Sequence, residues 1–455
     1  MNSPVRRGKR VALREVLSDR WLIGGIAAGL LLRALLALRL DGDMTLFGDE
    51  RVYIDQARWF LETGEFETGN FVRPPLFFLF LAATGSFSDG DSWLLFTKLV
   101  QCVASVATAI PIYRSAHRIG GLRAARLAAL FALFDPTLIA YSHLLWPETV
   151  FLLCVAIIFD SVVDLDESSW GRSCGLGALT GIAMLLKPIF GLFTLFLAAS
   201  WLQRFGFRRA IAIALVFGST AAAVIAPWVI RNQLRYGPTI VLENQGPYNL
   251  WAGNTKGKPQ RVLRLWERIG DPVARSRIAT ERGVEAITSD PAGFARNAVI
   301  RIVNLWGLEY FAVRHLVIGG YGPVSRTAFL TMFWVVELAW VLALVAAALG
   351  LSTVARDPTL RLILYYTLTF TLLVSAMTAT TRFRVPFAFW ISIAAGVGAD
   401  RALAGRFGRR VLAPLCVVVV LLVSSAARPM FVQMISADFE QPSELNQARW
   451  RFFRY

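Results

Sequence analysis

Two adjacent acids, Asp49 and Glu50, open the stretch GDERVYIDQARWFLETGEFETGNFVRPPL, which lies between two apolar blocks. A carboxylate held at such a boundary can take a proton from a hydroxyl. A third acid, Glu148 in SHLLWPETV, stands at the entrance to another apolar block. The cations Arg73, Lys187, Arg231, Arg382 and Arg384 each border an apolar block in the same way. Arginine grips a phosphate through two parallel hydrogen bonds and lysine acts on it as a point charge. Together these residues suggest an active site at a membrane surface, with a phosphate as its natural anion.

Each has a plainer reading. Paired acids in a loop are usually solvated, Glu148 after Pro147 suits the positive first turn of a helix, and rim cations can snorkel to lipid headgroups. Position favours the chemistry. Tyr53, Ala57 and Phe60 recur at helical spacing behind Asp49 and would lay the acids down on the membrane face. Asp49 and Glu148 could then meet as a two-carboxylate site. Asp135, before Pro136, is a further acid within an apolar block and so a functional candidate by default. His143 stands alone and reads as a polar contact, not a metal ligand.

The elements that must position these residues are membrane helices. The chain has 455 residues, 56% hydrophobic and 17% charged, with repeated apolar blocks long enough to cross about 30 Å of hydrocarbon. The blocks do not alternate as barrel strands do. The fold class expected is an all-α polytopic membrane protein, a bundle of about eleven transmembrane helices with outer-face juxtamembrane helices. A net charge of +16 invites nucleic acid, but the basic residues cluster in short loops, where cytoplasmic Lys/Arg bias places them, so no nucleic-acid partner is expected. The four cysteines fall inside apolar blocks and indicate neither disulfides nor a CxxC metal site. A divalent metal is compatible with the acids, but no ligand cluster demands one.

Residues 1–20 read as a basic cytoplasmic leader and Trp21–Leu40 as an uncleaved first span. The block 74–87, about fourteen residues, is too short to cross comfortably. If it does not cross, every strongly basic short loop, including Arg114–Arg126 and Arg401–Arg410, falls on the cytoplasmic side; if it does, the loops invert and the bias fails repeatedly. The organisation is then a transmembrane module over 21–230 with a catalytic first external loop (41–92), a long external loop over 231–326, C-terminal helices over 327–426 and a short external tail over 427–455. This parity places Asp49, Arg73, Glu148, Lys187, Arg231, Arg382 and Arg384 on the outer face of a bacterial cytoplasmic membrane. In the long loop, GPYNLWAGN carries Tyr248, Trp251 and Asn254, turn formers and aromatics suited to stacking on sugar or anchoring to headgroups. Residues 272–304 read as amphipathic helix with Arg275, Arg282, Arg296 and Arg301 on a basic side that lies on the membrane.

The acid pair after the first span, Tyr53 and Ala57 at helical spacing, and then Arg-Pro-Pro-Leu at 73–76 resemble polyprenyl-phosphate-dependent glycosyltransferases of the GT-C class, the protein-mannosyltransferase and aminoarabinose-transferase type. PWVIRN, GPYNLWAGN and TRFRVPF are similar to segments of their bacterial members, so the resemblance runs over roughly 45–400. It implies that Asp49, with Glu50 beside it, is the first-loop catalytic acid and that Arg73 holds the carrier phosphate. It places Glu148 where a second acid belongs, although many members have Asp there. Lys187, Arg382 and Arg384 are the further phosphate contacts expected, and Tyr53, Arg231, Tyr248, Trp251 and Asn254 the substrate contacts. The implied reaction is inverting transfer of one sugar from a polyprenyl-phosphate donor to an envelope lipid, glycan or protein acceptor. The sequence ends about thirty residues past its last apolar block, so acceptor recognition is expected in the first and long loops. A lipid-linked glycan flippase without catalysis is the alternative; it predicts ionisable residues deep in several spans and internal repeats.

Overall fold

The structure, a computed structural model, describes residues 11–39, 49–66, 71–87, 90–162, 170–255, 259–309, 325–406, 408 and 411–427. Among these residues the chain is helical throughout, without strands. The principal helices are α1 (Arg20–Ala37), α2 (Asp49–Thr63), α3 (Leu76–Gly85), α4 (Gly90–Ala107), α5 (Ala109–Leu133), α6 (Pro136–His143), α7 (Glu148–Val162), α8 (Trp170–Leu186), α9 (Gly191–Phe205) and α10 (Phe207–Tyr236). Then come α11 (Gln245–Asn254), α12 (Pro259–Arg268), α13 (Pro272–Ser289), α14 (Pro291–Trp306), α15 (Arg326–Val354), α16 (Pro358–Ser375), α17 (Ala388–Leu403) and α18 (Leu412–Ala426). The leader over 1–10, the start of the first loop over 40–48 and the tail over 428–455 lie outside the described residues.

Among the described residues five stretches are long and apolar enough to cross a membrane: Arg20–Ala37, Ser92–Leu133, Pro188–Phe205, Phe207–Thr239 and Arg326–Val354. The eleven expected blocks otherwise form shorter helices, such as α7 and α18 with 15 residues each, about 22 Å at 1.5 Å per residue. The block 74–87 yields only the ten residues of α3, about 15 Å long and half the hydrocarbon thickness.

Two breaks shape the first half of the bundle. Gly121 adopts φ 82°, a conformation open to glycine, and interrupts helical geometry midway along α5. The apolar block around Asp135 is broken: α5 ends at Leu133, and α6 restarts at Pro136 with the Asp135 carboxylate accepting from the Thr137 and Leu138 N–H groups. Asp135 is therefore a helix cap. The freed Leu133 carbonyl accepts from the fully buried Arg33 of α1 at 2.7 Å, and Arg33 also donates to Ser105 Oγ at 3.1 Å. His143 Nε2 lies 3.0 Å from the Arg33 carbonyl oxygen, the polar contact expected of it.

Small residues let the central helices touch. A Cβ on Gly396 of α17 would strike Ala124 and Ala128 of α5, and one on Gly181 of α8 would lie 2.9 Å from the Ala221 carbonyl of α10. Such close backbone approach drives association where lipid offers no hydrophobic gain. At one end of the bundle α5 carries a row of arginines, each paired to an aspartate from a different segment. Arg114 meets Asp160 at 2.6 Å, Arg118 meets Asp357 at 3.2 Å, Arg123 meets Asp400, and Arg126 meets Asp19 at 2.9 Å.

At the other end α11 to α14 form a cap with its own small core of Trp251, Val262, Trp266 and Ala279, against which Phe71 and Tyr248 pack. The amphipathic stretch over 272–304 is two helices, separated at Asp290–Pro291. Arg282 and Arg296 are exposed as expected, whereas Arg275 and Arg301 are buried. Arg301 donates to the Ser375 carbonyl at 2.9 Å and to Asn254 Oδ1 at 3.2 Å, tying the cap to the end of α16.

Candidate functional site

Helix α2 forms as its spacing predicts: Tyr53, Ile54 and Ala57 are buried and the Tyr53 ring meets Phe77 of α3 edge-on at 5.0 Å. Packing that face leaves Asp49, in the first turn, turned to the bundle. The extended segment after α2 is held by Asn244, whose N–H donates to the Val72 carbonyl at 3.2 Å and whose Oδ1 accepts from the Val72 N–H at 2.9 Å. Arg73 is thereby fixed beside Asp49. Arg382 arrives from the short 3-10 helix Thr381–Phe387 between α16 and α17, and Lys187 from the end of α8.

These residues make one chain of charge. Asp49 Oδ1 accepts from Arg73 at 2.8 Å and Asp49 Oδ2 from Arg382 at 2.6 Å. The Arg382 Nε donates to Glu148 Oε1, which also accepts from Lys187 at 2.8 Å. The Arg382 guanidinium lies over the Trp146 ring, 4.0 Å from its centroid. Asp49 and Glu148 do come together, but through a shared arginine. Burial alone would push the Asp49 carboxyl up, yet the Arg73 and Arg382 guanidiniums outweigh it and hold it well below the usual carboxylate range.

Asp49, Arg73, Lys187 and Arg382 line a cavity of about 530 Å³, together with Tyr53, Glu243, Gln245 and Asn249. The apolar part of its wall includes Phe151, Leu186, Ile189, Phe370, Leu373 and Val374. Glu148 is fully buried and reaches this space only through its two cations. Among the described residues no group of three or more His, Cys, Asp or Glu side chains comes together to hold a metal ion.

Several expected contacts lie elsewhere. Glu50 does not line the cavity; one turn-step round the helix from Asp49, its carboxylate accepts from the Leu145 N–H at 2.9 Å. Arg384 points away from the cavity, pairing with Glu309 at 2.7 Å and donating to the Gly307 carbonyl at 2.6 Å beneath the Trp340 ring. Arg231 donates to the Phe66 carbonyl at 2.9 Å and stacks over the Trp228 ring. Tyr248 packs on Phe71 and Trp266. Trp251 and Asn254 face a second, wider cleft of about 870 Å³ formed with α12, α13 and α14. Helix α11 thus separates two hollows, presenting Gln245 and Asn249 to one and Trp251 and Asn254 to the other. Glu243 was not anticipated: one glutamate in the unpatterned run TIVLENQG carries no periodic signal.

Residues 72–230 match the family model of dolichyl-phosphate-mannose-protein mannosyltransferase. No curated protein matches the chain. Among solved structures, it is similar to ArnT from Cupriavidus metallidurans bound to undecaprenyl phosphate, at 13% identity and a TM-score of 0.42, over 85% of this chain and 79% of that one. It is also similar to the archaeal oligosaccharyltransferase AglB from Archaeoglobus fulgidus in complex with an inhibitory peptide and a dolichol-phosphate, at 13% identity and a TM-score of 0.49. That likeness covers 94% of this chain but only 56% of AglB, so the chain spans little more than half its length. Over 72–230 this match agrees with the protein-mannosyltransferase resemblance drawn from the motifs.

Proposed function

We propose that this GT-C-type chain transfers one sugar from a polyprenyl-phosphate donor to a hydroxyl of an envelope lipid, glycan or protein, inverting the anomeric carbon. The observation that carries the reading is the set of three cations, Arg73, Lys187 and Arg382, lining one cavity that also has an apolar stretch of wall. A phosphate between those cations, with its polyprenyl chain along Phe151, Leu186 and Phe370, satisfies both kinds of wall. As the sugar–phosphate bond breaks, negative charge grows on the phosphate, and cations already aimed at it lower the barrier without reorganising.

Asp49 and Glu148 hold the three cations together, and on this reading a bound phosphate takes over part of their work. This gives Asp49 an organising role; with a guanidinium on each oxygen it is a weak base. The arginine row Arg114, Arg118, Arg123 and Arg126 at the opposite end of the bundle supports a cytoplasmic placement of that end, and with it the reading that the cavity faces the exterior.

Mass spectrometry of envelope lipids and glycans from a deletion strain tests this. Wild type should restore one sugar to an outer-face acceptor, while Arg382→Ala and Asp49→Asn leave the lipid-linked sugar to accumulate. Rescue by both variants, with the lipid-linked sugar of the deletion strain piled up facing the cytoplasm, would instead establish a flippase.

A further inference from the structure

Sugar transfer to a hydroxyl needs a group to receive the hydroxyl proton, and among the described residues two carboxylates line the cavity: Asp49 and Glu243. Asp49 has an arginine N–H on each oxygen, and the two guanidiniums outweigh its burial and keep its affinity for a proton low. Glu148 lies behind the wall, with both cations on one oxygen. The remaining polar groups on the wall, including Tyr53, Gln245, Asn249, Thr378 and Thr380, are neutral donors or weak acceptors.

Glu243 differs in two ways. Its backbone is held on both sides: Trp228 Nε1 donates to the Leu242 carbonyl at 2.9 Å, Asn232 Nδ2 to the Val241 carbonyl at 3.0 Å, and Asn244 exchanges two hydrogen bonds with Val72. Between these anchors the Glu243 carboxyl has no hydrogen-bond or ion-pair partner among the described residues, although Arg73 and Lys187 share its cavity. An anchored backbone with an uncommitted carboxylate is the arrangement a general base requires.

Resting on the transferase reading above, we infer that Glu243 is the catalytic base that accepts the proton of the attacking hydroxyl. The acceptor oxygen bonds to the anomeric carbon as its O–H proton passes to Glu243. The bond from that carbon to the phosphate oxygen breaks, and its electron pair stays on the phosphate between Arg73, Lys187 and Arg382. Glu243 then returns its proton to water. Burial raises its carboxyl above the ordinary glutamate value, against the opposing charges of Arg73 and Lys187, which makes it a better proton acceptor near neutrality. Asp49, Glu148, Arg382 and Tyr53 are the other titratable or charged groups around this space.

The test uses the full-length protein added to membranes of the deletion strain, which hold the natural donor and acceptor. Transfer is followed by mass spectrometry across pH, and undecaprenyl phosphate binding is measured in parallel. Glu243→Gln should transfer at least about 100-fold more slowly and lose the rise in rate on the acid side, while binding undecaprenyl phosphate within about threefold of wild type. Glu243→Asp, with a shorter reach, should recover part of the rate together with the acid-side rise. A monodisperse, thermally stable Glu243→Gln protein that transfers at the wild-type rate, or keeps the wild-type acid limb, would overturn the assignment. If wild type binds undecaprenyl phosphate but transfers nothing, the transferase reading fails first and the base falls with it.

Discussion

The two ends of the bundle solve the same electrostatic problem differently. At the α5 end each arginine has its own aspartate, and the four acids come from four separate segments. Each pair is a local tie that could be lost without stranding its neighbours. At the cavity end two acids serve three cations, with Arg382 bridging both. Here no charge has a private partner, so removing one leaves others buried and uncompensated. One-to-one pairing fastens helices; shared pairing, on the function proposed above, keeps charge available for an incoming anion.

Arg382→Ala should show this contrast most strongly. It strands Glu148 with Lys187 alone and should cost about 3–5 kcal/mol of stability, seen as a lower melting temperature in detergent, besides cutting transfer by about 100-fold or more. Arg384→Ala should come next. It removes the Arg384 guanidinium from buried Glu309 and loosens the segment that presents Arg382, so donor KM should rise before kcat falls. Arg114→Ala at the other end should lower stability by about 1–3 kcal/mol through Asp160 yet leave the rate per folded molecule unchanged. A large drop in that rate would show the ends are not independent. Smallest of all, Arg123→Ala, at a side chain 56% exposed, should shift stability by no more than about 1 kcal/mol.

Glu50→Gln sharpens the comparison within a single dipeptide. A glutamine oxygen still accepts from the Leu145 N–H, so transfer should stay within about tenfold of wild type where Asp49→Asn loses it. Equal loss in both would return Glu50 to the reaction.

That Asp49, Arg73, Glu148, Lys187 and Arg382 belong together was legible in the sequence: parity and loop charge put them, with Arg231 and Arg384, on one face, and the five form one network of ion pairs. Which way each side chain points was less legible. Glu50 follows Asp49 by one residue, about 100° round a helix, and Arg384 follows Arg382 by two in a 3-10 turn. In both cases the neighbour turns into the protein and the expected contact is lost. Asp135 could have been read correctly, since Asp-Pro is a helix start, but the apolar run around it masked the break. Glu243 lay in a loop whose conformation depends on Val72, Trp228 and Asn232, residues far from it in sequence, and no local pattern reports such anchoring.

The Thr381–Phe387 segment sends Arg382 into the cavity and Arg384 into the clamp with Glu309, two residues apart. Its function is therefore written in register as much as in residue type. Deleting or inserting one residue between Ser375 and Thr381 would turn both arginines off their targets at once, while many single replacements there would leave them in place. In this short link, length matters more than composition.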